Sequence, residues 1–331
     1  MHEVTRRALF GAVAMGLAVE RHHMPRMVGA QSLATPVAVS GDPLSSWTDG
    51  LVKTRILTFI AESTDPGHPN FVPKSLRIAT FDNDGTLWCE YPAPAQAYFA
   101  LSVARRIAET DLEASRKPIF HEVLDNSLDD VANIDPDQYY PLFDAVNSGT
   151  TQQRFIGLCR GWLETAVHPI TKRRWIDMVY QPQRELMALL AANGFTIFVV
   201  TGTSVDFVRA YAPVIYGIPS WQLIGTSYDY GFETVNGRGQ VFVTTEENTV
   251  VTDLQKSTSI ALQIGLRPVV AVGNSDGDLE MLQYAKGGPT PPLTLLVHHT
   301  DADREFAYDR NYEWSPFVSA LADASREGFT L

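Results

Sequence analysis

Arg77-Ile78-Ala79-Thr80-Phe81-Asp82-Asn83-Asp84-Gly85-Thr86 joins a short apolar run to two carboxylates spaced two positions apart, followed by a glycine turn. If Ile78 to Phe81 is a buried parallel strand, its carboxyl end is where open α/β sheets bind ligands, and Asp82 and Asp84 emerge at that crevice. Asp82 would attack phosphorus there and Asp84 would handle the proton. Taken alone, the same residues also read as a solvated Asp/Asn/Gly turn. The rest of the chain has to decide between the two.

Moving downstream, apolar periodicity alternates between helix and strand. Pro182 opens a helix with Leu186, Leu189 and Leu190 on one face and Gly194 at its end, and Phe195 to Val200 is then a continuous β-rich run. The pattern predicts a helix over Ser204–Ala212, a short strand over Gln222–Gly225 and a hairpin over Glu233–Thr244 around Asn236-Gly237. It continues with a helix over Asp253–Ile264, a strand over Pro268–Val272, a helix over Leu279–Tyr284 and a last strand over Leu293–Val297. This is a doubly wound, Rossmann-like α/β pattern.

Upstream, Trp47 to Ser63 reads as a helix stopped by Asp65-Pro66-Gly67. Between the first strand and Tyr180 lie about 90 residues, too many for an ordinary βα connection. They contain helical patterning at Pro94–Ala108 and at Thr150–Ala166, where Thr150 or Thr151 is the candidate N-cap. The expected organisation is a leader over 1–34, a linker, helix and first strand over 35–87, a mostly helical cap over 88–180, and the rest of the core over 181–331.

Three further signals fall at strand ends. Thr201-Gly202-Thr203 offers a hydroxyl and main-chain N–H groups for phosphate oxygens. Lys256 is the only lysine between Thr203 and Val272. Gly273-Asn274-Ser275-Asp276-Gly277-Asp278 carries oxygen side chains of the kind a hard cation such as Mg²⁺ takes.

Four such signals in this order resemble the motifs of the haloacid dehalogenase (HAD) superfamily, in its phosphoserine-phosphatase-like branch, over about Arg77 to Val297. The wording Asp84-Gly85-Thr86-Leu87-Trp88-Cys89-Glu90 is also similar to a bacterial group of HAD-family hydrolases, some of them exported. The resemblance implies Asp82 as nucleophile through an aspartyl-phosphate, Asp84 as acid and base, and Thr201 and Lys256 on the transferring oxygens. It implies Mg²⁺ held by Asp82, the Asp84 carbonyl and the fourth motif, at Asn274 and Asp278, with Asp276 as a further candidate. Asn274 departs from the family pattern, which has an aspartate there. Gly202, Thr203 and Glu90 are the candidate substrate contacts. Phosphoserine phosphatases carry a glutamate one residue beyond the Glu90 position. Asp84 favours a phosphatase, because dehalogenases of the superfamily lack that second acid.

The 331 residues carry a formal charge of -12, which argues against nucleic acid and anionic membranes as partners and leaves a small phosphorylated substrate. Two cysteines, Cys89 and Cys159, exclude a disulfide framework and are expected as separate buried thiols. Thr5-Arg6-Arg7-Ala8-Leu9-Phe10 followed by apolar Gly11–Val19 has the form of a twin-arginine export signal, with small-residue cleavage sites at Val28-Gly29-Ala30 and Ser32-Leu33-Ala34, so a periplasmic or secreted location is expected. No later segment is apolar enough to span a bilayer. The competing functional readings are a phosphotransferase or phosphomutase on the same scaffold, phosphoserine phosphatase proper, and a calcium-binding extracellular module. The last lacks the glycine that an EF-hand loop places at its sixth position.

Overall fold

The computed structural model describes residues 41–110, 142–143, 146 and 149–331; the expected leader lies outside them. Six strands form one sheet: β1 (Ile78–Phe81), β2 (Thr196–Ser204), β3 (Leu223–Val235), β4 (Arg238–Thr249), β5 (Val270–Gly273) and β6 (Leu293–Leu296). Their order is β4-β3-β2-β1-β5-β6, and every pairing is parallel except β3 with β4. The chain moves outward from β1 through β2 to β3 and later returns to the opposite side of β1 at β5. Sheets of this kind bind ligands at that reversal, outside the carboxyl ends of the strands.

Helices cover both faces, which is why the inner strands are apolar without alternation. One layer sets Ala79, Phe81, Ile197, Val199, Val270 and Val272 against α1 (Leu51–Thr64), α2 (Ala95–Thr110), α3 (Gln152–Thr165), α4 (Gln181–Ala192) and α5 (Val205–Arg209). The other sets Ile78, Phe198, Val200, Ile224 and Ala271 against α7 (Leu254–Gln263), α8 (Leu279–Lys286) and α9 (Ser319–Glu327). Each large apolar side chain so enclosed contributes about 1.5–3 kcal/mol.

Two sequence expectations change. The short strand at Gln222–Gly225 and the hairpin at Glu233–Thr244 are parts of one long hairpin, β3–β4, whose first strand starts buried and runs out into solvent. The helix expected over Ser204–Ala212 stops at Arg209, and a separate turn, α6 (Ala212–Ile215), follows. Pro213, which lacks an N–H and clashes with a preceding helical turn, enforces the break.

The insertion leaves and rejoins the core at one point. Cys89 N–H donates to the Met178 carbonyl at 3.0 Å and Tyr180 N–H to the Leu87 carbonyl at 2.9 Å. Its described residues include α2 and α3, and the Thr151 hydroxyl caps α3 by accepting from Arg154 N–H. Cys89 and Cys159 are buried free thiols, and burial pushes the Cys89 thiol up to about 12. Among the described residues no helix is long and apolar enough to cross a membrane.

Candidate active site

Phe81 ends β1 in the middle of the sheet, and the next main-chain N–H, that of Asp82, still donates to the Val272 carbonyl of β5. The loop then turns over the Asn83 carbonyl, which accepts from the N–H groups of Thr86, Leu87 and Trp88. Gly85 takes φ +73°, and a Cβ there would overlap the Asn274 amide and the Glu90 carboxylate, so only glycine fits. The loop thereby delivers Asp82 and Asp84 to one pocket of about 160 Å³, which Glu90, Gln96, Thr201, Gly202, Thr203, Lys256 and Ser315 also line.

Lys256 comes from α7 and is buried between two carboxylates, with Nζ 2.6 Å from Asp82 Oδ1 and 2.6 Å from Asp278 Oδ1. Burial alone would lower the lysine, but Asp278 and Asp82 outweigh it and hold the ammonium charged well above the ordinary range. Burial raises the Asp82 carboxyl well above the usual carboxylate range, with Lys256 opposing and the Asp278 and Asp84 charges adding to the rise. Asp84 is held at both oxygens: the Thr203 hydroxyl donates to Oδ2 at 2.6 Å and the Trp88 indole N–H to Oδ1 at 2.8 Å.

Thr201 and Gly202 line the pocket from within β2, which runs on to Ser204 past a register shift. The Thr201 hydroxyl accepts from Thr203 N–H at 3.1 Å. Thr203 spends its own hydroxyl on Asp84, so its side chain orients the acid. Gln96 of α2 accepts from Ser204 N–H at 2.7 Å, tying the insertion to this segment.

The loop after β5 differs from expectation at two acids. Asp278 is fully buried; Oδ1 takes Lys256, and Oδ2 accepts from the N–H groups of Asn274 and Ser275 at 2.9 and 3.1 Å. Both oxygens are occupied, so it anchors the lysine and the loop rather than opening toward a cation. Asp276 accepts from the N–H groups of Val318, Ser319 and Ala320 and caps α9. Asn274 stays near the nucleophile loop, with Oδ1 accepting from the Thr86 hydroxyl at 3.0 Å.

Glu90 is buried beside this loop. Oε1 accepts from the Asn274 amide at 2.8 Å, Tyr308 hydroxyl at 2.9 Å and Ser315 hydroxyl at 2.6 Å, and burial pushes its carboxyl up to about 7. The segment that carries Tyr308 and Ser315 also supplies His299, whose Nε2 donates to the Gly85 carbonyl at 2.7 Å while Nδ1 lies 3.1 Å from Glu305. His299 is a buried brace of the loop that carries Asp82 and Asp84. Trp88, Tyr308, Tyr312 and Ser315 were not anticipated, and of these only Trp88 lies next to a motif.

Burial opposes protonation of His299, but Glu305, Glu90 and the Gly85 carbonyl outweigh it and raise the group above 6.5. A raised histidine contributes stability that is complete below its unfolded value and lost as pH rises through its folded one. Unfolding free energy measured against pH should therefore fall on the alkaline side of 6.5 more steeply for the native protein than for His299→Gln. Parallel curves would remove His299 as a charged brace.

An aspartate at the central strand end, a second acid beside it and a lysine locked between buried carboxylates, on a doubly wound α/β sheet, mark the chain as an α/β enzyme. The chain belongs to the haloacid dehalogenase-like hydrolases, whose family model matches residues 79–283. The fold is also that of a conserved functionally unknown protein from Anaerococcus prevotii DSM 20548, at 16% identity and a TM-score of 0.50 over 81% of this chain and 94% of that one. A protein with unknown function from Bordetella pertussis Tohama I aligns at 16% identity and 0.46, over 77% and 96%. A phosphoserine phosphohydrolase-like protein from Francisella tularensis subsp. tularensis SCHU S4 aligns at 14% and 0.36, over 62% and 82%. No curated protein matches the chain.

Proposed function

We propose that the protein is a Mg²⁺-dependent phosphomonoester hydrolase that works through an aspartyl-phosphate on Asp82. The observation that carries this reading is the Asp82–Lys256–Asp278 chain at the end of β1, with Asp84 fixed by Thr203 and Trp88 at the same pocket. Asp82 attacks phosphorus and the bond to the leaving oxygen breaks. Asp84 gives that oxygen its proton, then takes one from the water that hydrolyses the acyl phosphate, a role worth ~10²- to 10⁴-fold. Thr201, the Gly202 main chain and Lys256 face the transferring oxygens, where fixed donors act most strongly.

The donor set fits a hard cation. Asp82 and Asp84 bring two carboxyl groups to the pocket beside Lys256, and the oxygens of Asp82, the Asp84 main chain and Asn274 are the hard donors Mg²⁺ prefers. When bound, Mg²⁺ supplies positive charge that offsets the repulsion between an anionic nucleophile and an anionic phosphate.

A panel of phosphomonoesters assayed with and without Mg²⁺ tests the reading. Inorganic phosphate should appear in proportion to substrate consumed, without any acceptor, and only with the cation. Phosphate transfer that requires an added alcohol would identify a transferase instead, and no turnover of any ester with Mg²⁺ would overturn the proposal.

A further inference from the structure

Asn274 and Glu90 are 184 positions apart and meet at Gly85. Both are almost completely enclosed, at 3% and 2% exposure. An ionised carboxylate only accepts hydrogen bonds, so Glu90 takes the NH₂ end of the Asn274 amide and leaves the oxygen end to the Thr86 hydroxyl. Glu90 is itself fixed, because Tyr308 and Ser315 donate to the same oxygen and would lose a buried partner if it turned away. A carboxylate at position 274 would face Glu90 at hydrogen-bond distance, and two buried carboxyl groups so placed cannot both ionise.

We propose that Glu90 is a positioning residue that acts through Asn274: it fixes the amide with Oδ1 toward the nucleophile loop and supplies, on the neighbouring side chain, the carboxyl group that position 274 lacks. Glu90 and Asn274 then form one unit with a single carboxyl group, and the two side chains tolerate exchange only together. The inference rests on the Mg²⁺ reading above, since Oδ1 is one of the donors assigned to the cation.

The test uses the full chain with Glu90→Gln, Asn274→Asp and the double variant, each titrated with Mg²⁺ alone by calorimetry, melted with and without Mg²⁺, and assayed for kcat and KM on a phosphomonoester. Glu90→Gln keeps the shape and should weaken Mg²⁺ binding by about tenfold, the range in which loss of an outer-shell partner falls. It should lower kcat while KM stays within about twofold, as expected if Glu90 acts through Asn274; a rise in KM with kcat unchanged would make it a substrate contact instead and overturn the proposal. Asn274→Asp should melt lower and bind Mg²⁺ no more tightly than the native protein, and adding Glu90→Gln should restore both. If Asn274→Asp fails to fold while the double variant folds, the coupling is demonstrated directly.

Unchanged Mg²⁺ affinity in Glu90→Gln overturns the proposal. So does tighter Mg²⁺ binding by Asn274→Asp alone with no further gain in the double variant, which would make Asn274 merely a weaker ligand. Calorimetry and melting need no substrate. A protein that hydrolyses no phosphomonoester but shows the coupling refutes the proposed activity and leaves the pairing standing.

Discussion

Asp82→Asn should abolish turnover while leaving the fold intact. The substitution keeps the shape of the side chain and one oxygen to accept from Lys256, whose other partner, Asp278, is untouched. What disappears is the proposed nucleophile, since a neutral amide does not form an acyl phosphate. Removing a covalent nucleophile elsewhere costs ~10⁶-fold in kcat, so a loss of at least about 10⁴-fold is expected in phosphate release. Stability should move the other way. Burial raises the Asp82 carboxyl, and the Asp278 and Asp84 charges add to that strain, so a neutral group relieves like-charge crowding. The melting temperature should therefore hold or rise. An Asp82→Asn protein with native turnover would remove Asp82 from the chemistry altogether. A protein both inactive and unfolded would instead reveal that the Asp82–Lys256 pair is needed to build the core.

How much of this was legible beforehand follows from where each residue gets its constraints. β1, β2 and β5 are enclosed by helices on both faces, so their sequences are unbroken apolar runs, and the carboxylates and threonines that end them stand out. Lys256 was legible because it is alone in its stretch of an acidic chain. β3 was misread because its burial fades along its length, so its outer half carries no apolar pattern, and Gly225 and Gly231 interrupt it. The roles of Asp276 and Asp278 were hidden for a different reason. Composition marks an acidic loop as a cation site, but whether a carboxylate oxygen stays open depends on which N–H groups the fold brings to it. Here those come from the loop itself and from the start of α9. The clamp on Glu90 had no sequence signal at all, because Tyr308, Tyr312 and Ser315 lie more than 200 positions away in a segment without periodicity.

Lys256→Met should be the most damaging single change to stability. The methionine fills most of the lysine's volume, but it leaves Asp82 and Asp278 buried with no cation between them. Breaking a buried ion pair by removing one partner costs about 3–5 kcal/mol. For a domain of this size that corresponds to a fall in melting temperature of about 10 °C, since each kcal/mol is worth ~2–4 °C. The sign of the pH dependence separates this cause from simple loss of packing. Without the ammonium, nothing opposes the burial and the Asp278 and Asp84 charges that raise the Asp82 carboxyl in the folded state, and a raised carboxyl contributes stability at low pH that is lost as pH rises through its folded value. The deficit of Lys256→Met relative to the native protein should thus shrink as pH falls from neutrality, because Asp82 can then protonate. A deficit independent of pH would mean that packing, not charge, is what the lysine provides. Added Mg²⁺ should recover part of the stability, by giving the stranded Asp82 carboxylate another positive partner, and turnover should stay low because the proposed donor to the transferring oxygens is gone.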